Sequence, residues 1–189
     1  MMAMQVKDAN RVRRSVGVAF VVTLVLHVAI FPNISLAEGK ANLLLAFAAY
    51  IALSIGGEAG VTAGFMAGLA FDLTTTGPVG LMALELTLAS FVLGRERRNR
   101  LAEDPHGSMR AFLVAAPCVE VAYGIAMLAT GSDASFLSLM FMRALPSVVL
   151  DYVVFAVFLA IGSRGNRGGA AFSGGAGSSV LGGKRIRGR

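Results

Sequence analysis

Gly60-Val61-Thr62-Ala63-Gly64-Phe65-Met66-Ala67-Gly68-Leu69-Ala70-Phe71-Asp72 places a glycine at every fourth position and ends the series on a carboxylate. A repeat of four is close to the 3.6-residue turn, so the three glycines and Asp72 share one helical face. Ala63 and Ala67 widen that face with further small side chains. In lipid, where apolar side chains gain little by meeting one another, a bare face of this kind lets a second helix approach closely and positions the acid inside a bundle.

The surrounding composition makes lipid the solvent. The 189-residue chain is 56% hydrophobic and only 15% charged, with a mean hydropathy of +0.70. That is too apolar for a soluble domain of this length. Taking about 20 residues per crossing of a hydrocarbon core of about 30 Å, the apolar stretches predict helices near 15–34, 41–57, 60–75, 78–94, 110–130 and 139–162. The fold class expected is an all-α integral membrane protein built as a six-helix transmembrane bundle. Residues 1–14 read as a basic cytoplasmic tail, 15–162 as the membrane domain and 163–189 as a disordered Gly/Ser-rich basic tail. Arg11, Arg13 and Arg14 before an apolar run also resemble a signal peptide, but five later spans favour a retained first helix.

Of the 17 Lys and Arg residues, all but Lys40 and Arg143 fall in the N-terminal tail, the 95–110 loop or the C-terminal tail. Six spans put those three segments on one side, and basic residues favour the cytoplasmic side. Both termini are therefore expected in the cytoplasm. The net charge of +6 reads as topology and contact with anionic lipids rather than nucleic-acid binding. Cys118 is the single cysteine, which excludes an intrachain disulfide.

Asp72, Glu85, Glu120 and Asp151 lie inside the expected spans. Each costs about 2.5–3.5 kcal/mol at the bilayer centre on insertion scales, so they should face the interior, be paired or hold a proton. Depth counting brings Asp72 and Glu85 together on adjacent helices, with Glu120 and Asp151 a little nearer the cytoplasm on the fifth and sixth. Arg143 is the one base expected at membrane depth. A buried polar network of Glu85, Glu120, Arg143 and Asp151 that sets helix register is the expected arrangement, with a proton or ion pathway as the sharper one. Pro117 and Pro146 are expected to interrupt the last two spans beside the acids. His27 and His106 have no acid or nucleophile at catalytic spacing, and neither a metal-ligand cluster nor a phosphate loop is visible. No enzyme, cofactor or metal is expected.

The run Gly64 to Leu73, followed by Gly77-Pro78-Val79-Gly80-Leu81-Met82-Ala83-Leu84, resembles the central segment of the bacterial rod shape-determining family MreD. The basic loop after the fourth span, and Arg143 through Pro146 to Asp151 in the last, are similar as well. Val79-Gly80 stands where that family more commonly has Leu-Gly, and the Gly-rich tail lies outside its pattern. The resemblance implies a non-enzymatic scaffold of cell-wall elongation in the cytoplasmic membrane, acting on cell shape and lateral peptidoglycan synthesis through helix contacts. It implies as partners MreC, MreB and the lateral-wall glycosyltransferase and transpeptidase, with a second copy of the chain as a further candidate. Gly60, Gly64, Gly68, Asp72 and Gly80 are the partner or helix-packing residues expected on that basis. The alternative is a substrate-binding subunit of an energy-coupling-factor vitamin transporter, a fold MreD is thought to resemble. Such subunits carry an Ala-x3-Ala docking pair, and Ala48 and Ala52 have that spacing. A carrier or intramembrane enzyme built on the four acids is a third reading.

Overall fold

The computed structural model describes residues 2–30, 35–36, 39–98, 105–131 and 139–173. They form six α-helices: α1 (Met2–Ala29), α2 (Leu43–Ser54), α3 (Gly57–Thr74), α4 (Leu81–Arg98), α5 (Pro105–Ala129) and α6 (Leu145–Ser173). A two-residue hairpin, Ser35–Leu36 against Gly39–Lys40, precedes α2, and a π-helical turn, Leu139–Ala144, leads into α6.

Three stretches, Val12–Ala29, His106–Ala129 and Phe141–Ser163, are long and apolar enough to cross a membrane. Their outward faces carry large apolar side chains, such as Val21 and Val25 of α1, Leu113 and Ile125 of α5, and Val153 and Val157 of α6. That is the surface of a protein solvated by hydrocarbon.

The second helix departs most from expectation. Where a helix over 41–57 is expected, α2 has 12 residues, about 18 Å of rise, so that the helix by itself covers only part of a hydrocarbon core of about 30 Å. It is enclosed by its neighbours: apart from Tyr50 and Ser54, every one of its residues is buried, and it packs against α1, α3, α4, α5 and α6. A helix apolar all round has no face to offer water and sits at the centre. Around it, Phe47 meets Phe20 of α1 and Phe158 of α6, while Phe112 of α5 stacks on Phe155 of α6 at 4.0 Å between ring centres.

The domain ends also differ. Helix α1 starts at Met2, so most of the segment read as a tail is helical, and α6 continues past residue 162 to Ser173. Extending an existing helix costs far less than nucleating one, so flanking residues of modest propensity join it. The remainder of the tail, 174–189, lies outside the described residues. Pro146 stands where the π-helical turn Leu139–Ala144 passes into α6, so the last span changes its winding beside it. Pro117 lies inside α5.

Candidate functional site

Helices α3 and α4 run side by side along the glycine face. A Cβ built on Gly64 would stand 2.6 Å from the Leu86 carbonyl oxygen and collide with the Ser90 hydroxyl, and one on Gly68 would stand 2.7 Å from the Ala83 nitrogen and collide with the Met82 carbonyl. Gly60 faces α2 instead, with a Cβ position 3.0 Å from the Ala52 Cα. The small-residue face is therefore filled from within the chain. As a docking surface for another protein it is corrected, because α4 and α2 already occupy the space its missing side chains leave.

One turn beyond Gly68, the close approach delivers Asp72 to the start of α4. Its carboxylate is 1% exposed and accepts three backbone N–H groups: Gly80 at 2.9 Å and Ala83 at 3.0 Å on Oδ2, and Met82 at 3.1 Å on Oδ1. Gly80 is the residue before the helix, and its carbonyl accepts the first intrahelical bond from Leu84. That position ordinarily supplies a side-chain cap to the second and third helical amides. Gly80 has no side chain and holds φ +99°, so the cap comes from the preceding helix. Negative charge at a helix start is further favoured by the aligned peptide dipoles.

A second acid holds the start of α2. Asp151 of α6 is fully buried, and its Oδ1 accepts the Asn42 N–H at 2.6 Å. Asn42, 2% exposed, in turn caps α2 by accepting the Leu45 N–H on Oδ1 at 3.0 Å. Ser147, one turn earlier on α6, accepts the Lys40 N–H on its hydroxyl at 3.1 Å. Gly39 makes this docking possible, since a Cβ there would stand 2.8 Å from the Arg143 carbonyl oxygen and from the Pro146 Cβ. Non-helical backbone at membrane depth survives only where protein satisfies it; here two α6 side chains do so.

Replacing Asp151 with alanine should therefore loosen the approach to α2 before anything else. Losing the acceptor of one buried N–H costs about 1–3 kcal/mol, so hydrogen exchange at residues 40–45 should quicken about tenfold or more. Unchanged exchange there would show that the carboxylate is not holding this segment.

The remaining ionisable groups gather between α4, α5 and the π-helical turn. Glu85 lies within electrostatic reach of Glu120 and Asp72, Glu120 of Arg143, and Asp151 of Glu120. The Arg143 guanidinium sits over the Tyr123 ring, 5.7 Å from its centre, and the Tyr123 hydroxyl fills the space beside Gly77 in the α3–α4 turn. All four acids and Arg143 are thus neighbours in one polar zone. Asn42, Ser147, Gly39 and Tyr123 were not singled out from sequence. Asn42 carried a legible signal, a capping residue immediately before an apolar run; the other three depend on contacts formed across the fold.

The two carboxylates do structural chemistry, each ordering the first turn of a helix other than its own, and the glycine face is what brings the first of them into range. That Gly-x3-Gly-x3-Asp face with its turn and capped α4 lies within a larger match. The family model described as rod shape-determining protein MreD matches residues 11–161. No curated protein and no solved structure matches the chain. With a family match running from the first membrane helix through most of the last, and the Gly64 to Ala83 segment at its centre, the chain belongs to the rod shape-determining MreD family.

Proposed function

We propose that this chain is a non-enzymatic scaffold of the cell-wall elongation machinery, crossing the cytoplasmic membrane six times with both ends in the cytoplasm. It works with MreC, with MreB and with the glycosyltransferase and transpeptidase of the lateral wall, and its basic loop and tails rest on anionic lipids. The observation that carries this reading is the family match over residues 11–161. The use of the polar groups agrees with it. Asp72, Asn42, Ser147 and Asp151 hold backbone in place, which suits a protein whose task is to keep a shape.

Since the glycine face is occupied internally, contacts with other membrane proteins fall to the outward faces of α3 and α4, where Phe65, Met66, Leu84 and Phe91 are exposed. Photocrosslinkers at Phe65 and Phe91 in growing cells should capture MreC or a wall synthase. Capture of an ABC-type energising module instead would favour the vitamin-transporter alternative. Ala48 and Ala52, the candidate docking pair of that alternative, are 1% and 0% exposed within the central helix, which weighs against their meeting another subunit.

A further inference from the structure

Three of the four membrane acids have a donor or an opposite charge within the chain. Asp72 accepts three N–H groups, Asp151 accepts one on Oδ1 while its Oδ2 is enclosed without a partner among the described residues, and Glu120 has the Arg143 guanidinium in reach. Glu85 has neither a donor nor an opposite charge among the described residues. The charged groups acting on it are Glu120 and Asp72, both acids, and its Oε2 is enclosed without a hydrogen-bond partner among the described residues. A carboxylate held in apolar surroundings without a donor is costly; with Oε2 closed off, Oε1 is the oxygen at which a donor from outside the chain would stabilise it.

Glu85 also ends a groove of about 260 Å³ between α4 and α5, whose other walls are apolar and include Ala89 and Val92 on one side and Ala115, Cys118 and Ala122 on the other. The lining positions recur at i, i+3, i+4 and i+7 on both helices, which makes a straight slot two turns, or about 10 Å, long. Counted from Leu81, where α4 begins, Glu85 is about 6 Å below the helix end and Val92 about 16 Å below it. Half of the hydrocarbon core is about 15 Å. The slot therefore runs from just under one interface to the midplane and occupies a single leaflet. A partner helix would continue through both leaflets, whereas a lipid has one charged end and a chain of this reach. Because helical side chains lean toward the N-terminus, the Glu85 carboxyl points to the head-group level.

We infer that the α4–α5 groove binds the chain of a phospholipid whose head group carries a primary ammonium, with that ammonium donating a hydrogen bond to Glu85. This rests on α4 crossing the bilayer as the six-span reading has it. The acids around Glu85 favour a cation over a phosphate oxygen, and a primary ammonium brings N–H donors that a trimethylated head group lacks.

The test uses the full-length protein purified into mixed micelles of phosphatidylethanolamine and phosphatidylcholine with identical chains, with retained lipid read by native mass spectrometry. Ethanolamine lipid should be retained about tenfold over choline lipid, equivalent to about 1.4 kcal/mol. Glu85→Gln should abolish the preference, and Ala89→Phe, which fills the slot, should remove both lipids. Equal retention of the two lipids by the unsubstituted protein, or a preference surviving Glu85→Gln, overturns the proposal. Cys118, the chain's single cysteine, is exposed and gives a measure that needs no substitution. Its alkylation by an apolar maleimide should be slower in ethanolamine-lipid than in choline-lipid vesicles, and equal rates count against the site. Rapid alkylation by a charged, impermeant maleimide would instead show that the groove faces water, which sinks the six-span reading itself.

Discussion

Replacing Asp72 with alanine should unfasten the start of α4. Three N–H groups, those of Gly80, Met82 and Ala83, lose their acceptor together, and no water is at hand to replace it at a site 1% exposed. Each stranded donor costs about 1–3 kcal/mol. The three are not additive, so a loss of about 3 kcal/mol or more is the expectation. It should show as a lower midpoint of thermal unfolding by circular dichroism in detergent, and as faster hydrogen exchange confined at first to residues 80–84. Asp72→Asn keeps one acceptor oxygen and should fall between alanine and the unsubstituted chain. An alanine variant that melts and exchanges like the parent would refute the capping role.

Adding a side chain at Gly68 should be at least as damaging, by a different route. What a Cβ meets there is the backbone of Met82 and Ala83, which cannot swing aside as a side-chain tip would. Overpacking of this kind costs about 1–3 kcal/mol in a well-packed interior, and Gly68→Leu should exceed that range and block folding. Pushing α4 away also takes its amides out of reach of Asp72. The two effects are therefore coupled: Gly68→Ala combined with Asp72→Ala should cost clearly less than the sum of the separate changes. Gly17 of α1 is the control, since nothing lies within 4 Å of its Cβ position, and Gly17→Ala should stabilise its helix by about 0.5–1 kcal/mol. Full additivity of the pair, or equal effects at Gly17 and Gly68, would separate the glycine contact from the cap.

The spacing of Gly60, Gly64, Gly68 and Asp72 was legible because helical periodicity acts over neighbouring turns and needs no knowledge of the fold. What the face meets was not legible. Whether a bare helix surface receives another protein or another part of the same chain depends on how the turn over residues 75–80 folds back, and that turn is itself held by Asp72. The length of α2 was missed for a related reason. Residues 41–57 are almost continuously apolar, so nothing local marks where the helix gives way to extended backbone. That boundary is set by Ser147 and Asp151, more than one hundred positions away along the chain. The neighbourhood of Asp72 and Glu85 followed from depth counting, because two antiparallel helices joined by a short turn leave little freedom. Tyr123 and the π-helical turn that carries Arg143 over its ring left no such trace.

The enclosed second helix constrains the order in which the protein can be made. At 12 residues it cannot stand across a bilayer by itself, and the Lys40 and Asn42 amides leading into it find side-chain acceptors on the last helix. A growing polypeptide that has not yet reached residue 151 must hold this segment in a provisional state, sheltered by the insertion machinery or lying shallow at the lipid surface. Maturation is then a single late closure in which the arriving last helix seals the middle of the molecule, so stops placed before residue 151 should yield a product that quality-control proteases remove.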